Sequence, residues 1–288
     1  VLLVAKPAGP TSHDVVDRAR RALCIERIGH LGSLDPFAEG LLVLVTERAT
    51  RLATFAGGWS KTYEGVARLG MATDTDDVTG VPVATSDAWR ALDGDAVERA
   101  LERFAGGYEQ RPPAYSAVKI AGRRAYALAR RGAAVAPPPR HVDVRDFTLL
   151  SWTPPDLSFR AEVSAGTYVR SLLRDVGDAL GCGAHLTRLV RTAAGPLALA
   201  DAVLLERLTP AAVRGPEVLV AHLPRRDLTE DERAAVVHGR PISAGGTGDG
   251  DAAERVALFA HGELVGVAER AAADGMPVLK PRVVLVDG

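Results

Sequence analysis

Residues Gly29-His30-Leu31-Gly32-Ser33-Leu34-Asp35-Pro36-Phe37-Ala38-Glu39-Gly40 constrain this chain more than any other stretch. They set one acidic residue, Asp35, in a glycine-punctuated loop with a proline directly behind it. The apolar run Leu41-Leu42-Val43-Leu44-Val45 follows at once and reads as a buried strand. A loop fixed this firmly ahead of a buried strand positions a side chain rather than merely joining two elements. An isolated Asp-Pro would read as a turn cap; the framing on both sides singles out this carboxylate.

At 288 residues the chain can bury a large core, and one large domain plus a small one is the natural division. A hydrophobic content of 47% with 25% charged residues is ordinary for a soluble globular protein. No apolar run approaches the roughly 18 residues that a membrane span needs. The opening Val1-Leu2-Leu3-Val4-Ala5-Lys6-Pro7 is too short and wrongly flanked for a signal peptide and reads as a strand. Cys24 and Cys182 lie far apart in sequence and form no metal-spaced cluster, so both are expected to be reduced and structural, as suits the cytoplasm.

The net charge of −1 hides a strong asymmetry. Between Arg111 and Arg145 the basic residues Arg111, Lys119, Arg123, Arg124, Arg130, Arg131, Arg140 and Arg145 face only Asp143. Between Met71 and Glu109 the balance reverses, with acids such as Asp74, Asp76, Asp77, Asp93 and Asp95 in excess. A near-neutral protein with one concentrated basic segment can still grip phosphates locally, in a salt-dependent way.

Hydrophobic spacing and turn signals predict a strand over 1–4 and a helix from an N-cap at Thr11 or Ser12 to about Leu23. A strand at 41–45, a short helix near 49–55 and a strand near 62–69 follow. A helix is predicted over 95–104, with Val97, Leu101 and Phe104 on one face and Gly106-Gly107 ending it. The basic segment contains two helix-like pieces and closes at Pro137-Pro138-Pro139. Strands at 141–150 and 157–164, a helix from Tyr168 to Leu180, a strand-like run at 197–199 and a helix at 204–213 complete the larger part. Around Leu223-Pro224-Arg225-Arg226 the character changes to short β-prone runs, 255–259, 264–268 and 283–286, split by glycine-rich turns. The expected domains are therefore 1–222, with 111–139 as a basic, clamp-like insertion, and 223–288. Residue types alone give a two-part protein with a basic clamp and one glycine-framed carboxylate.

The pattern Gly-His-x-Gly-[Ser/Thr]-Leu-Asp-Pro-x-Ala-x-Gly at 29–40 resembles the catalytic-aspartate loop of TruB-type tRNA pseudouridine synthases, and further matches run through most of residues 1–200. The resemblance implies a mixed α/β (α+β) pseudouridine synthase fold with a central, mainly antiparallel sheet flanked by helices. It also implies a small C-terminal β-barrel of the PUA-like, RNA-binding kind. The implied activity is isomerisation of uridine to pseudouridine at position 55 in the T-loop of tRNA, by base flipping and without a cofactor.

By the same resemblance Asp35 is the catalytic group. Arg170, in Gly166-Thr167-Tyr168-Val169-Arg170, is its ion partner, since a carboxylate kept ionised in a closed pocket needs a cation. Tyr63, in Lys61-Thr62-Tyr63-Glu64-Gly65, stacks on the target uracil and is a candidate for the proton transfers. His30 fills the place left by the flipped nucleotide. Tyr168 packs near the base, Leu189 lines its pocket, and Arg123 and Arg124 belong to the clamp on the tRNA elbow. Lys6 matches the family's Lys-Pro, grouped with the RNA-facing residues but expected to prop the active-site loops; Ala5 stands where the family carries an aspartate. Asp74-Thr75-Asp76 resembles a family turn, and without a histidine or further ligand pattern it is not read as a metal site. The expected partner is the T-arm of tRNA, with no membrane and no obligatory protein partner, and a monomer is expected. A guide-RNA-dependent relative and an RNA chaperone in which catalysis is secondary are the alternatives.

Overall fold

A computed structural model of the chain describes residues 1–113, 137–245, 253–273 and 275–287, and the backbone of 119–120 and 123–124. The apolar run after the Asp35 loop is continuous because its strand is covered on both faces. Along β1 (Leu2–Lys6) and β3 (Glu39–Thr46), Leu2, Val4, Leu42 and Leu44 enter one core, while Leu3, Leu41, Val43 and Val45 enter a second. α1 (Ser12–Leu23) lies on the first side through Val15, Val16, Ala19 and Leu23. Thr11 caps it in a reciprocal box with Asp14, and Cys24 ends it in the left-handed conformation. β2 (Ile28–Leu31) pairs antiparallel with β3, so the first three residues of the Gly29–Gly40 stretch are strand rather than loop.

β4 (Lys61–Leu69) follows a 3-10 turn, Glu47–Leu52, and a single helical turn, Ala53–Ala56. A hairpin of β5 (Met71–Thr73) and β6 (Pro82–Thr85) leads to α2 (Gly94–Glu102), which stops two residues short of the predicted Phe104, and to β7 (Gly106–Gln110). β8 (Lys119–Ile120) and β9 (Arg123–Arg124) form a short antiparallel ladder. The helix-like pieces expected in the basic segment, and the side chains of Arg123 and Arg124, lie outside the described residues. β10 (Arg140–Thr153) and β11 (Asp156–Val163) form a long hairpin, followed by α3 (Val169–Ala179) and β12 (Ala184–Ala194).

The large sheet runs β14 (Val203–Leu204)-β1-β3-β12-β4-β11-β10-β7, with β2 on β3 and the short β13 (Leu197–Ala198) on β12. Only the β1–β14 and β3–β12 pairs are parallel, so the expected mainly antiparallel sheet is present. The helix predicted over 204–213 is not formed. β14 (Val203–Leu204) and two 3-10 turns, Leu205–Arg207 and Pro210–Ala212, occupy that stretch. Pro210 holds Thr209 extended and so interrupts any helix there.

The second sheet, ordered β15-β17-β18-β19-β16, is an open, curled half-barrel of five strands. It comprises β15 (Arg225–Asp227), β16 (Ile242–Ser243), β17 (Arg255–Ala260), β18 (Glu263–Ala273) and β19 (Met276–Val284). Alternation along β17 again serves two cores. Val256, Leu258 and Ala260 pack with Val236 of the helix Glu230–Val237, whereas Ala257 and Phe259 join Leu3, Leu41 and Val43 of the large sheet. Arg48 reinforces that junction, donating to the Leu285 carbonyl at 3.0 Å and to the Asp287 carboxylate. None of the described helices is long and apolar enough to cross a membrane.

Candidate active site

The Asp35 loop is held by its own carbonyls. Ser12, buried at the start of α1, donates to the Leu34 carbonyl (3.1 Å) and accepts from the Leu34 N–H (2.8 Å). Lys6 reaches the carbonyls of Pro7 (2.9 Å), Pro36 (3.3 Å) and Ala38 (2.6 Å). Arg191, fully buried on β12, donates to the carbonyls of Leu41 (2.7 Å), Gly32 (3.0 Å) and Ser33 (3.4 Å). Two buried cations are thus spent on main-chain oxygens, which satisfies the polar backbone where this irregular segment turns inward at Leu34 and Ala38, while Gly32, Ser33 and Pro36 stay exposed. Burial outweighs the pull of Asp35 and Glu39 and brings the Lys6 ammonium down to about 8.

Gly40 closes the loop against β12. Its φ is +105°, and a Cβ there would lie 2.6 Å from the Arg191 backbone nitrogen and closer still to the Arg191 carbonyl oxygen. Gly40→Ala is expected to lower stability by about 2–4 kcal/mol, from left-handed strain plus overpacking, read as a reduced midpoint of denaturant unfolding.

With its backbone fixed, Asp35 points into a cleft of about 480 Å³. Arg170, in the first turn of α3, grips it from below with a two-pronged contact, Nε to Oδ2 at 2.8 Å and Nη2 to Oδ1 at 3.1 Å. The third nitrogen, Nη1, donates to the Thr75 carbonyl at 2.8 Å and lies 3.7 Å from Asp77 Oδ2. The Arg170 side chain is 5% exposed and that of Asp35 39%, so the cation is an anchored support and the carboxylate is the face presented to the cleft. Asp77 is itself held by Thr75 and Thr79 hydroxyls and the Thr79 N–H. The acidic turn at 74–77 therefore braces Arg170. Among the described residues no group of His, Cys, Asp and Glu is placed to hold a metal ion.

Tyr63 lines the cleft from β4 with its ring buried, and Leu189 of β12, in register with Gly65, lines it while packing in the core. Tyr168 lines the opposite wall. Its backbone is clamped by the fully buried Gln110, whose Nε2 donates to the Tyr168 carbonyl at 3.0 Å and whose Oε1 accepts from the Tyr168 N–H at 2.8 Å. The Arg140 guanidinium stacks over the Tyr168 ring at 4.7 Å. Behind Gln110, Tyr108 donates to Asp175, and Arg174 bridges Asp175 and Asp76. Burial pushes the Asp76 carboxyl up to about 6 despite Arg174 and Arg170 nearby.

Two residues sit differently from the rest of the predicted set. Lys6 does not line the cleft; its ammonium faces loop carbonyls behind Asp35, the propping position rather than an RNA-facing one. His30 lies on β2, one residue before the first cleft-lining residue, Leu31. Its Nδ1 is buried without a hydrogen-bond partner, and burial together with Arg191 and His13 lowers its pKa.

Sequence reasoning missed Ser12, Lys61, Asp77, Gln110, Arg140 and Arg191. Lys61 was discoverable, because it stands two residues from Tyr63 on one strand and so shares its face. Gln110 and Arg140 face each other across β7 and β10, a pairing no local pattern announces.

The chain that builds this cleft is similar to known proteins. The family model described as TruB family pseudouridylate synthase (N terminal domain) matches residues 20–169, and that of the tRNA pseudouridylate synthase B C-terminal domain matches residues 170–223. The chain belongs to the TruB pseudouridine synthase family. The tRNA pseudouridine synthase B of Mycobacterium leprae is 43% identical over 258 residues, 85% of this chain and 80% of its own length. That of Parasynechococcus marenigrum is 41% identical over 287 residues, covering 98% and 96%. Among solved structures, a chain of a Cbf5-Nop10-Gar1 complex aligns with a TM-score of 0.74 at 28% identity, over 99% of this chain and 84% of that one. A chain of an H/ACA RNP bound to a substrate RNA containing 2′-deoxyuridine aligns with a TM-score of 0.73 at 25% identity, over 99% and 84%. TruB membership makes this chain a pseudouridine synthase, an isomerase of RNA uridine.

Proposed function

We propose that the chain converts uridine to pseudouridine at position 55 in the T-loop of tRNA, with Asp35 as the catalytic carboxylate. The observation that carries this reading is the Asp35–Arg170 pair: an open carboxylate on a buried, two-pronged cation inside a nucleoside-sized cleft. In the reaction the N1–C1′ bond breaks, the uracil turns, C5 bonds to C1′, and the proton on C5 is lost as N1 gains one. Nothing is added or removed, so no cofactor is called for. The target lies inside a folded loop and is flipped out to reach the cleft, at a cost of a few kcal/mol in lost stacking. Tyr63 provides the stacking wall for the uracil and a hydroxyl for the proton transfers. Leu189 and Tyr168 close the pocket, and His30 takes up the space the flipped base leaves in the RNA. The Arg170 fork holds the Asp35 carboxylate in one orientation beside the sugar, as attack at C1′, attack at C6 and elimination to a glycal all require. Arg123 and Arg124, on the 111–139 insertion, grip the tRNA elbow. The units 1–222 and 223–288 act as catalytic and RNA-binding domains.

Purified protein incubated with a T-arm stem-loop transcript is expected to form pseudouridine at the T-loop uridine without any other macromolecule, detected by mass spectrometry after cyanoethylation. Product only elsewhere would assign another specificity. Product only after adding a guide RNA or protein subunits would place the chain with the guide-dependent relatives.

A further inference from the structure

The Asp35–Arg170 pair leaves the cleft with excess positive charge. Its charged lining residues are Asp35, Lys61, Arg140, Arg170 and Arg191, four cations against one carboxylate. Arg170 is matched by Asp35 and Asp77, and Arg191 spends its nitrogens on carbonyls. Lys61 is different. It opens β4 two residues before Tyr63, so both side chains leave the strand on the same face, into the cleft. Its Nζ donates to the Trp59 carbonyl at 3.0 Å, and among the described residues no carboxylate pairs with it. Gly32 makes room for it: a Cβ at Gly32, whose φ is +77°, would lie 3.0 Å from Lys61 Cε. Burial, with Arg191 close by, lowers the Lys61 ammonium to about 8, so the free protein carries an uncompensated, half-buried cation beside its catalytic loop.

We infer that Lys61 is the phosphate-binding post of the cleft, taking one backbone phosphate of the RNA strand next to the flipped uridine. A phosphate supplies the charge and acceptor oxygens that Lys61 lacks, and the nucleoside must enter the cleft with its own phosphates attached. Fixing one linkage while Tyr63 stacks on the base sets the sugar over Asp35. This assignment rests on the RNA substrate proposed above.

The test is a double-mutant cycle between side chain and linkage. T-arm stem-loops carrying a single neutral methylphosphonate at each linkage flanking the target are titrated against protein with Asp35→Asn, which binds without turnover. With Lys61 present, one linkage should lose roughly tenfold in affinity when neutralised, the scale of a charge-assisted hydrogen bond. With Lys61→Met the unmodified RNA should bind roughly tenfold more weakly, that linkage should lose nothing further, and the slope of log affinity against log salt should flatten by about 0.7. Lys61→Arg, which keeps the cation, should keep the linkage sensitivity. In catalysis by otherwise wild-type enzyme, the Lys61→Met loss should fall on KM far more than on kcat. Additive losses at every linkage, unchanged affinity of Lys61→Met, or loss of the sensitivity in Lys61→Arg would each overturn the assignment. If wild-type protein forms no pseudouridine in the unmodified stem-loop, the proposed function fails instead, and the two failures are distinct.

Discussion

Asp35→Asn is expected to abolish pseudouridine formation, by about a thousandfold or more, while RNA affinity stays within about threefold. The substitution removes a charge and one acceptor but almost no volume. The loop does not depend on the Asp35 side chain for its shape, because Ser12, Lys6 and Arg191 hold it through carbonyls on either side. Arg170 keeps the Thr75 carbonyl at 2.8 Å and Asp77 at 3.7 Å, so it is not left as a lone buried cation. Fold and cleft should therefore survive, and the loss should fall on the chemical step. Single-turnover assays beside equilibrium binding separate the two. Retained isomerisation would remove Asp35 from the chemistry. Parallel loss of binding and activity would make it a structural residue. An RNA chaperone indifferent to catalysis would show no change in its folding assistance.

The parts of this molecule legible in the sequence are those whose signal is local. α1 was readable from Thr11 and Ser12 to Leu23 because a capping box and an apolar face lie within one segment. The buried strand read at 41–45, the middle of β3, was legible because a strand covered on both faces has no polar alternation to disguise it. β12 was not read as a strand, although it lies between β3 and β4 in the middle of the sheet. Its register shifts at 186/188 and 191/193 break the two-residue period, and its buried Arg191 and His185 look like surface residues until their carbonyl partners are known. Three residues of the Asp35 stretch belong to β2 for a related reason: glycines mark a loop in sequence, yet Gly29 packs against Val45 with ordinary strand geometry.

At the site, the asymmetry is between the side chains to which the proposed reaction is assigned and those that hold them. Asp35, Tyr63 and Arg170 stand in segments with recognisable patterns. Their supports are assembled from residues far apart: Gln110 reaches Tyr168 across 58 positions and Arg191 reaches Gly32 across 159. Such contacts arise from sheet order and cannot be seen before the topology is known. The acidic turn shows the same limit. Asp77 carried no more signal than Asp74 or Asp76, and its part as the second carboxylate near Arg170 appears only once the 71–85 hairpin is folded against α3.

Arg170→Lys separates charge from geometry and should cost about a hundredfold in kcat while leaving a folded protein. A lysine in this place restores one positive charge but not the fork. The guanidinium meets both Asp35 oxygens and the Thr75 carbonyl in one plane, and a single ammonium cannot reach all three. Asp35 would lose its fixed orientation, which is where a misplacement of about an ångström is expensive. Arg170→Ala should be far worse. It strands Asp77, whose side chain is 6% exposed, and the Thr75 carbonyl together, and loss of one partner from a buried ion pair costs about 3–5 kcal/mol. Thermal unfolding should therefore place Arg170→Lys close to the parent and Arg170→Ala well below it, with kcat reduced in both. Equal melting of the two variants would show that the arginine braces nothing. Full activity of Arg170→Lys would show that charge alone, without the fork, is what Asp35 requires.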